Sequence, residues 1–306
     1  MRLLRKAIGH CSLQGDPCTG AFFVLAPYSY AILGGDELEG LEMNWGAMDR
    51  YAKSLIKEAG HHIKRSFFTE IEISSKSSAN DLVTNIDREI EQFFITRIRR
   101  DFPDHRIMGE EGFGDDIQSL DGVIWFLDPI DGTMNFVHQK RNFAISLGIY
   151  IDGIGMLGYV YDVMADDLYS AMKGEGAYLN DIRLPQLKDT TIEEAIIGVN
   201  ASWIAPNRYV DNEPMIELVK TCRGTRSYGS AALELTHVAT GRVDVYISMR
   251  LSPWDVAGGM IIAGEVGAIS STLQGEQSGL LQQETFIVSN ASIHSQLLED
   301  FIILKK

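Results

Sequence analysis

The segment Leu127-Asp128-Pro129-Ile130-Asp131-Gly132-Thr133 constrains this chain more than any other. It follows the short apolar run from Val123 to Leu127, which reads as a buried strand. Two carboxylates three positions apart therefore stand at a strand end. Pro129 restricts the backbone between them, and Gly132 permits a sharp turn. Both side chains can then converge on one point beyond the strand. Hard divalent cations such as Mg2+ take several oxygen ligands, so converging carboxylates suit them. Gly132 and Thr133 also offer free backbone N–H groups, where a phosphate can sit. A lone Asp-Gly is ordinarily just a turn.

Further acidic segments change that weight. Gly109-Glu110-Glu111-Gly112 follows the strand-like Arg106 to Met108, and on its own reads as a solvated turn. Trp254-Asp255 opens an apolar helix, where an aspartate is commonly an N-cap. Asp81 and Asp87 lie around another helix start. Each has an ordinary reading singly; the set in this order is informative.

Helical spacing of Tyr51, Leu55, Ile56, Ala59 and Ile63 predicts a helix over 48–68. A short strand is expected over 70–75 and a second helix over 87–101, stopped before Pro103. Strands at 143–150 and 154–162 meet at Asp152-Gly153, a hairpin signal, and 167–172 and 176–179 continue the sheet. Beyond Pro185 to Thr191, strands are expected at 195–199 and 243–247, and helices at 214–220, 230–240 and 254–266. This mixture of hairpins and helices points to α/β layers rather than a purely parallel, doubly wound sheet.

With 306 residues and 45% hydrophobic content, the chain can bury a sizeable core. Its formal net charge of -15 repels polyanions, so nucleic acid and anionic membrane are poor default partners. Cys11, Cys18 and Cys222 form no CxxC motif and cannot all pair, which favours a reducing cytoplasm. The seven histidines have no metal-ligand spacing; His61, His62 and His138 read as surface or packing residues. The basic start and the apolar run from Ala21 to Leu33 are too short and too separated for a membrane span or a well-built signal.

GEEG, DPIDGT and WDVAGG in this order resemble the inositol monophosphatase family, within the wider group of lithium-sensitive, Mg2+-dependent phosphatases. The resemblance runs from about Met48 to the C-terminus and includes Lys76 through Asp87 and Gly229-Ser230-Ala231. It implies a layered αβαβα sandwich of the type shared with fructose-1,6-bisphosphatase, usually a homodimer. The division expected is an extension at 1–47, an α+β part at 48–190 carrying GEEG and DPIDGT, and an α/β part at 191–306 carrying WDVAGG.

Carried over by motif, the resemblance assigns Glu110, Asp128 and the carbonyl of Ile130 to one metal ion. Asp128, Asp131 and Asp255 match the ligands of a second, and Glu110 approaches a third, so two or three Mg2+ ions are implied. Glu110 and Thr133 match the pair that orients the attacking water, with Asp87 in support. Lys76 matches a basic residue of a mobile loop near the metals. Asp131, Gly132, Thr133, Gly229, Ser230 and Ala231 fall at substrate-binding positions. In animal members a Glu seven residues before the WD aspartate contacts an inositol hydroxyl; here that position is Ser248. Arg250 lies close by, and a guanidinium suits a second phosphate or carboxylate.

The function implied is hydrolysis of inositol monophosphate or a similar small phosphorylated metabolite by metal-activated water. An NADP(H) or fructose-1,6-bisphosphate phosphatase is the alternative within the superfamily. A regulatory, protein-binding member is the alternative of another class. Inhibition by Li+ is expected from the same resemblance.

Overall fold

The computed structural model describes residues 44–76 and 82–305. Expectations for residues 1–43, with Cys11 and Cys18, and for Asp81 lie outside the described residues. From Met48 to Lys306 the chain makes one unit.

Helix α1 (Trp45–Ser66) buries Ala52, Leu55, Ile56, Ala59 and Ile63, a stripe recurring every three or four residues. A small antiparallel ribbon follows, β1 (Ile73–Ser75) with β2 (Leu82–Thr84). Only the last three residues of the expected 70–75 strand pair. Helix α2 (Asn85–Asp101) starts two residues before the expected Asp87, because Thr84 closes a capping box with Asp87. Its buried stripe is Ile86, Ile90, Phe94 and Ile98.

The larger sheet has seven strands in sequence order: β3 (Arg106–Gly109), β4 (Val123–Asp131), β5 (Ala144–Ile151), β6 (Ile154–Asp162), β7 (Asp167–Met172), β8 (Gly176–Leu179) and β9 (Ile182–Arg183). Strand β3 runs parallel to β4; the remaining pairs are antiparallel. Helix α3 (Thr133–Gln139) connects β4 to β5. All nine residues of β4 are buried, so both of its faces are covered, as its unbroken apolar run anticipates.

The second part begins with β10 (Ile196–Val199), α4 (Ala201–Ile204), α5 (Asn212–Thr221), β11 (Gly224–Arg226) and α6 (Ala231–Ala239). It continues through β12 (Val245–Leu251), α7 (Pro253–Glu265), β13 (Ala268–Ser271), β14 (Glu284–Asn290) and α8 (His294–Gln296), ending in a π-helical turn, Leu297–Phe301. Five of these strands form a mixed sheet in the order β11-β10-β12-β14-β13. Strand β12 lies later than the expected 243–247. Val245, Ile247 and Met249 are buried in alternation, so the polar Ser248 and Arg250 sit within the strand rather than ending it. Strands β13 and β14 escape the sequence reading, although Phe286, Ile287 and Val288 of β14 form a short buried apolar run.

Helices α6 and α7 pack between the sheets. Leu235 and Ile262 share a core with Phe126 of β4 and Val288 of β14. Met215 and Leu218 of α5 cover the outer face of the second sheet against Ile197 and Ile247. The layers are therefore αβαβα. Helix α7 lies unusually close to the larger sheet. A Cβ on Gly148 would fall 2.8 Å from the Ala257 carbonyl carbon, and one on Gly258 would fall 2.7 Å from the Tyr159 backbone carbonyl oxygen. This contact brings the N-terminus of α7 to the end of β4.

Candidate metal centre and substrate pocket

Asp128 and Asp131 both belong to β4, rather than lying beyond it. Residues three apart on a regular strand point to opposite faces. Here the pairing with β5 slips: Asp128 faces Ser146 and Asp131 faces Ala144, so one extra residue is accommodated. Such a bulge re-aims side chains. Pro129 and Ile130 span it, and Pro129 has no N–H to contribute. The Ile130 N–H donates to Asp128 Oδ1 at 2.9 Å, holding the bulge. Gly132 then turns the chain with φ 93°, a left-handed conformation that favours glycine.

Asp255 arrives from α7. Its carboxylate accepts from the Ser252 N–H at 2.7 Å, so it closes a capping box rather than serving as the N-cap. Its carboxylate and those of Asp128 and Asp131 each offer an oxygen within 4.8 Å of the others. Asp128 is 1% exposed and Asp131 is 8% exposed. Burial raises the pKa of all three. Glu110 adds most to that effect at Asp128, and Asp131 does so at Asp255. An all-oxygen, converging, desolvated donor set fits a hard divalent cation.

Glu110 sits at the end of β3 and lines the same cavity of about 210 Å3 with Asp128, Ile130, Asp131, Thr133 and Asp255. Lys76 bridges Glu110 at 2.8 Å and Glu111 at 2.6 Å. Burial works against the ammonium, but Glu110 and then Glu111 outweigh it and hold its pKa above the ordinary lysine value. Burial pushes Glu111 up to about 7.

The glycine-acid-acid-glycine segment is an anchored loop. Glu91 of α2 accepts from the Glu111 N–H at 2.6 Å and the Phe113 N–H at 2.9 Å. Gly109 is required because a Cβ there would fall 2.6 Å from the Glu91 carboxyl carbon. Sequence reasoning passed over Glu91. Its signal was present: it follows Asp87 by four residues on the buried stripe of a helix.

Asp87 is completely buried, and burial raises its pKa despite Thr84. The Thr133 hydroxyl lies 3.1 Å from Asp87 Oδ1 and 3.2 Å from the Ile130 carbonyl. Asp131 is held from α6: Ser230 Oγ and the Ala232 N–H, at 2.7 Å, both donate to its Oδ2. Gly229, Ser230 and Ala231 line an adjoining cavity of about 190 Å3 that also contains Asp131 and Asp255. Of the described residues, Ser248 and Arg250 line neither cavity. Ser248 is buried, with the Arg250 N–H 3.5 Å from its hydroxyl, and Arg250 is exposed. His61 and His138 are on the surface. Cys222 is a buried free thiol.

The model of the inositol monophosphatase family matches residues 45–304. The inositol-1-monophosphatase of Bacillus subtilis is 53% identical over 86% of this chain and 99% of its own length. The crystal structure of SaIMPase-II with inositol monophosphate bound superposes with a TM-score of 0.76 at 42% identity, covering 84% of this chain and 93% of that one. An IMPase/NADP phosphatase crystallised with Mg2+ and phosphate has a TM-score of 0.78 at 30% identity, covering 84% and 95%. With the motifs, the layers and the acid cluster in agreement, the chain belongs to the inositol monophosphatase family.

Proposed function

We propose that this chain is a Mg2+-dependent phosphomonoesterase that hydrolyses inositol monophosphate or a similar small phosphorylated metabolite. The observation that carries this reading is the convergence of Asp128, Asp131 and Asp255 beside Glu110 at the mouth of a second cavity. The SaIMPase-II and NADP phosphatase structures support a substrate range extending from inositol phosphate to nucleotides.

Glu110, Asp128, Asp131, Asp255 and the Ile130 carbonyl are the groups that would hold two or three Mg2+ ions. When bound, Mg2+ neutralises phosphate charge and acidifies a coordinated water. The protein's own groups do the rest. Glu110 and the Thr133 hydroxyl orient the attacking water, and Glu110 accepts a proton from it. Asp87 fixes the hydroxyl of Thr133 through the 3.1 Å contact. The backbone N–H groups of Gly132 and Thr133 receive phosphate oxygens as charge develops. Lys76 holds its ammonium 2.8 Å from Glu110 Oε1. A cytoplasmic homodimer is the assembly and setting we infer, and Li+ is expected to inhibit.

Phosphate release from inositol 1-phosphate tests the reading. Activity is expected with Mg2+, none after chelation, and recovery on adding Mg2+ back. Full activity in metal-free buffer would sink it.

A further inference from the structure

The cavity adjoining the acid cluster has a second acidic feature that the metal reading leaves unused. Glu234, on α6, lines it together with Trp203 and Tyr246. We propose that Glu234 determines substrate specificity by accepting or sharing a hydrogen bond with a hydroxyl of the ester's alcohol part, the part that leaves. This rests on the phosphatase reading above.

Glu234 is 2% exposed. Its Oε1 accepts from the Tyr228 N–H at 2.7 Å. Its Oε2 is buried and has no hydrogen-bond partner among the described residues. A buried carboxyl oxygen without a partner is costly, and native structures rarely keep one without use. Helix capping does not account for it, since Ser230 already caps α6 at the Leu233 N–H. Nor does the metal cluster: Asp131 is satisfied by Ser230 and Ala232. Oε2 packs against Gly198 of β10, where a Cβ would fall 2.7 Å from that oxygen, so only glycine leaves the carboxyl this position.

A phosphate placed at Asp131 and Asp255 puts its alcohol part in this cavity. A polyol or ribose ring carries hydroxyls beside the ester, and a rotation of the Glu234 carboxyl toward the cavity lets one of them complete the bonding of Oε2. An alcohol without further hydroxyls leaves the oxygen unpaired, and a site built to bond a hydroxyl discriminates against ligands that lack it. Trp203 and Tyr246 also line the cavity, and aromatic side chains add apolar contact for a ring. The class of substrate selected is thus a phosphate monoester with a hydroxyl next to the ester carbon.

The test compares kcat/KM for inositol 1-phosphate with that for p-nitrophenyl phosphate, whose alcohol has no other hydroxyl. Glu234→Met keeps the bulk and removes both oxygens. Because both esters are read on the same preparation, the folded fraction cancels from their ratio. The inositol-to-nitrophenyl ratio is expected to fall about tenfold or more, the loss of one buried hydrogen bond. A ratio within about threefold of the parent value would overturn the proposal and leave Glu234 as the acceptor of the Tyr228 N–H alone. If Glu234→Met does not accumulate folded, Gly198→Ala reads the same ratio, since its methyl displaces Oε2 with the carboxyl retained. A parent protein that hydrolyses neither ester with Mg2+ would instead overturn the phosphatase reading itself.

Discussion

Asp128 concentrates the electrostatic conflict of the site in one side chain. It is almost fully enclosed, and Glu110, Asp131 and Asp255 all raise its pKa further. Asp128→Asn removes one of these charges with a nearly isosteric group. The metal-free protein is expected to gain stability, with a thermal midpoint about 2–4 °C higher for each kcal/mol of repulsion relieved. Turnover with Mg2+ is expected to fall roughly a thousandfold or more, because the shared ligand is lost. Scanning calorimetry and phosphate release read the two effects. A variant that keeps near-normal turnover contradicts the role given to Asp128. The residue-scale pattern was legible in the sequence because DPIDGT, GEEG and WD are local strings. Glu234 was not, because its only marks are an orphaned oxygen and a glycine 36 residues away, both visible only in three dimensions.

At the scale of elements, the site depends on how α2 grips the loop after β3. Glu91 satisfies two backbone N–H groups there. Glu91→Ala leaves both without their acceptor, at about 1–3 kcal/mol each where water cannot reach. Relief of the buried carboxylate offsets part of this, since burial raises the Glu91 pKa. Glu110 loses its fixed position, so the Mg2+ concentration for half-maximal activity is expected to rise about tenfold or more. A Mg2+ titration checks this; an unchanged midpoint with reduced stability would confine Glu91 to folding. Long periodic helices such as α1 and α2 were readable, since a 3.6-residue stripe survives without tertiary context. The β4 bulge was not: its sequence gives the Pro, but pairing with β5 decides where the extra residue goes. Strand β12 was cut short because Ser248 and Arg250 interrupt its apolar pattern, although they occupy the strand's other face.

For the whole molecule, the buried acids make stability depend on pH and metal together. Asp128, Asp131 and Asp255 have pKa values raised from an ordinary 3.8, Asp131 to about 6. The folded state therefore binds more protons than the unfolded one between about pH 4 and 6, and stability from these groups falls as pH rises. His105, His237 and His294 act in the opposite sense, because burial lowers their pKa values. The histidine contribution cancels in the difference between Mg2+-loaded and metal-free protein. Protons and Mg2+ compete for the same carboxylates. The rise in melting temperature produced by a fixed Mg2+ concentration is therefore expected to be larger at pH 7.5 than at pH 5. An equal or smaller rise at pH 7.5 would show that the cation binds elsewhere.

The tight seating of α7 on the larger sheet has an evolutionary consequence. With Gly148 and Gly258 at the contact, not even a methyl group can be inserted between helix and strand without displacement. Asp255 is thereby tied to Asp128 and Asp131 as one inherited block. Trp203 of α4 and Glu234 of α6 line the adjoining cavity from other elements. A lineage built on this framework can drift from one phosphorylated alcohol to another by changing those walls, while the hydrolytic machinery is passed on intact.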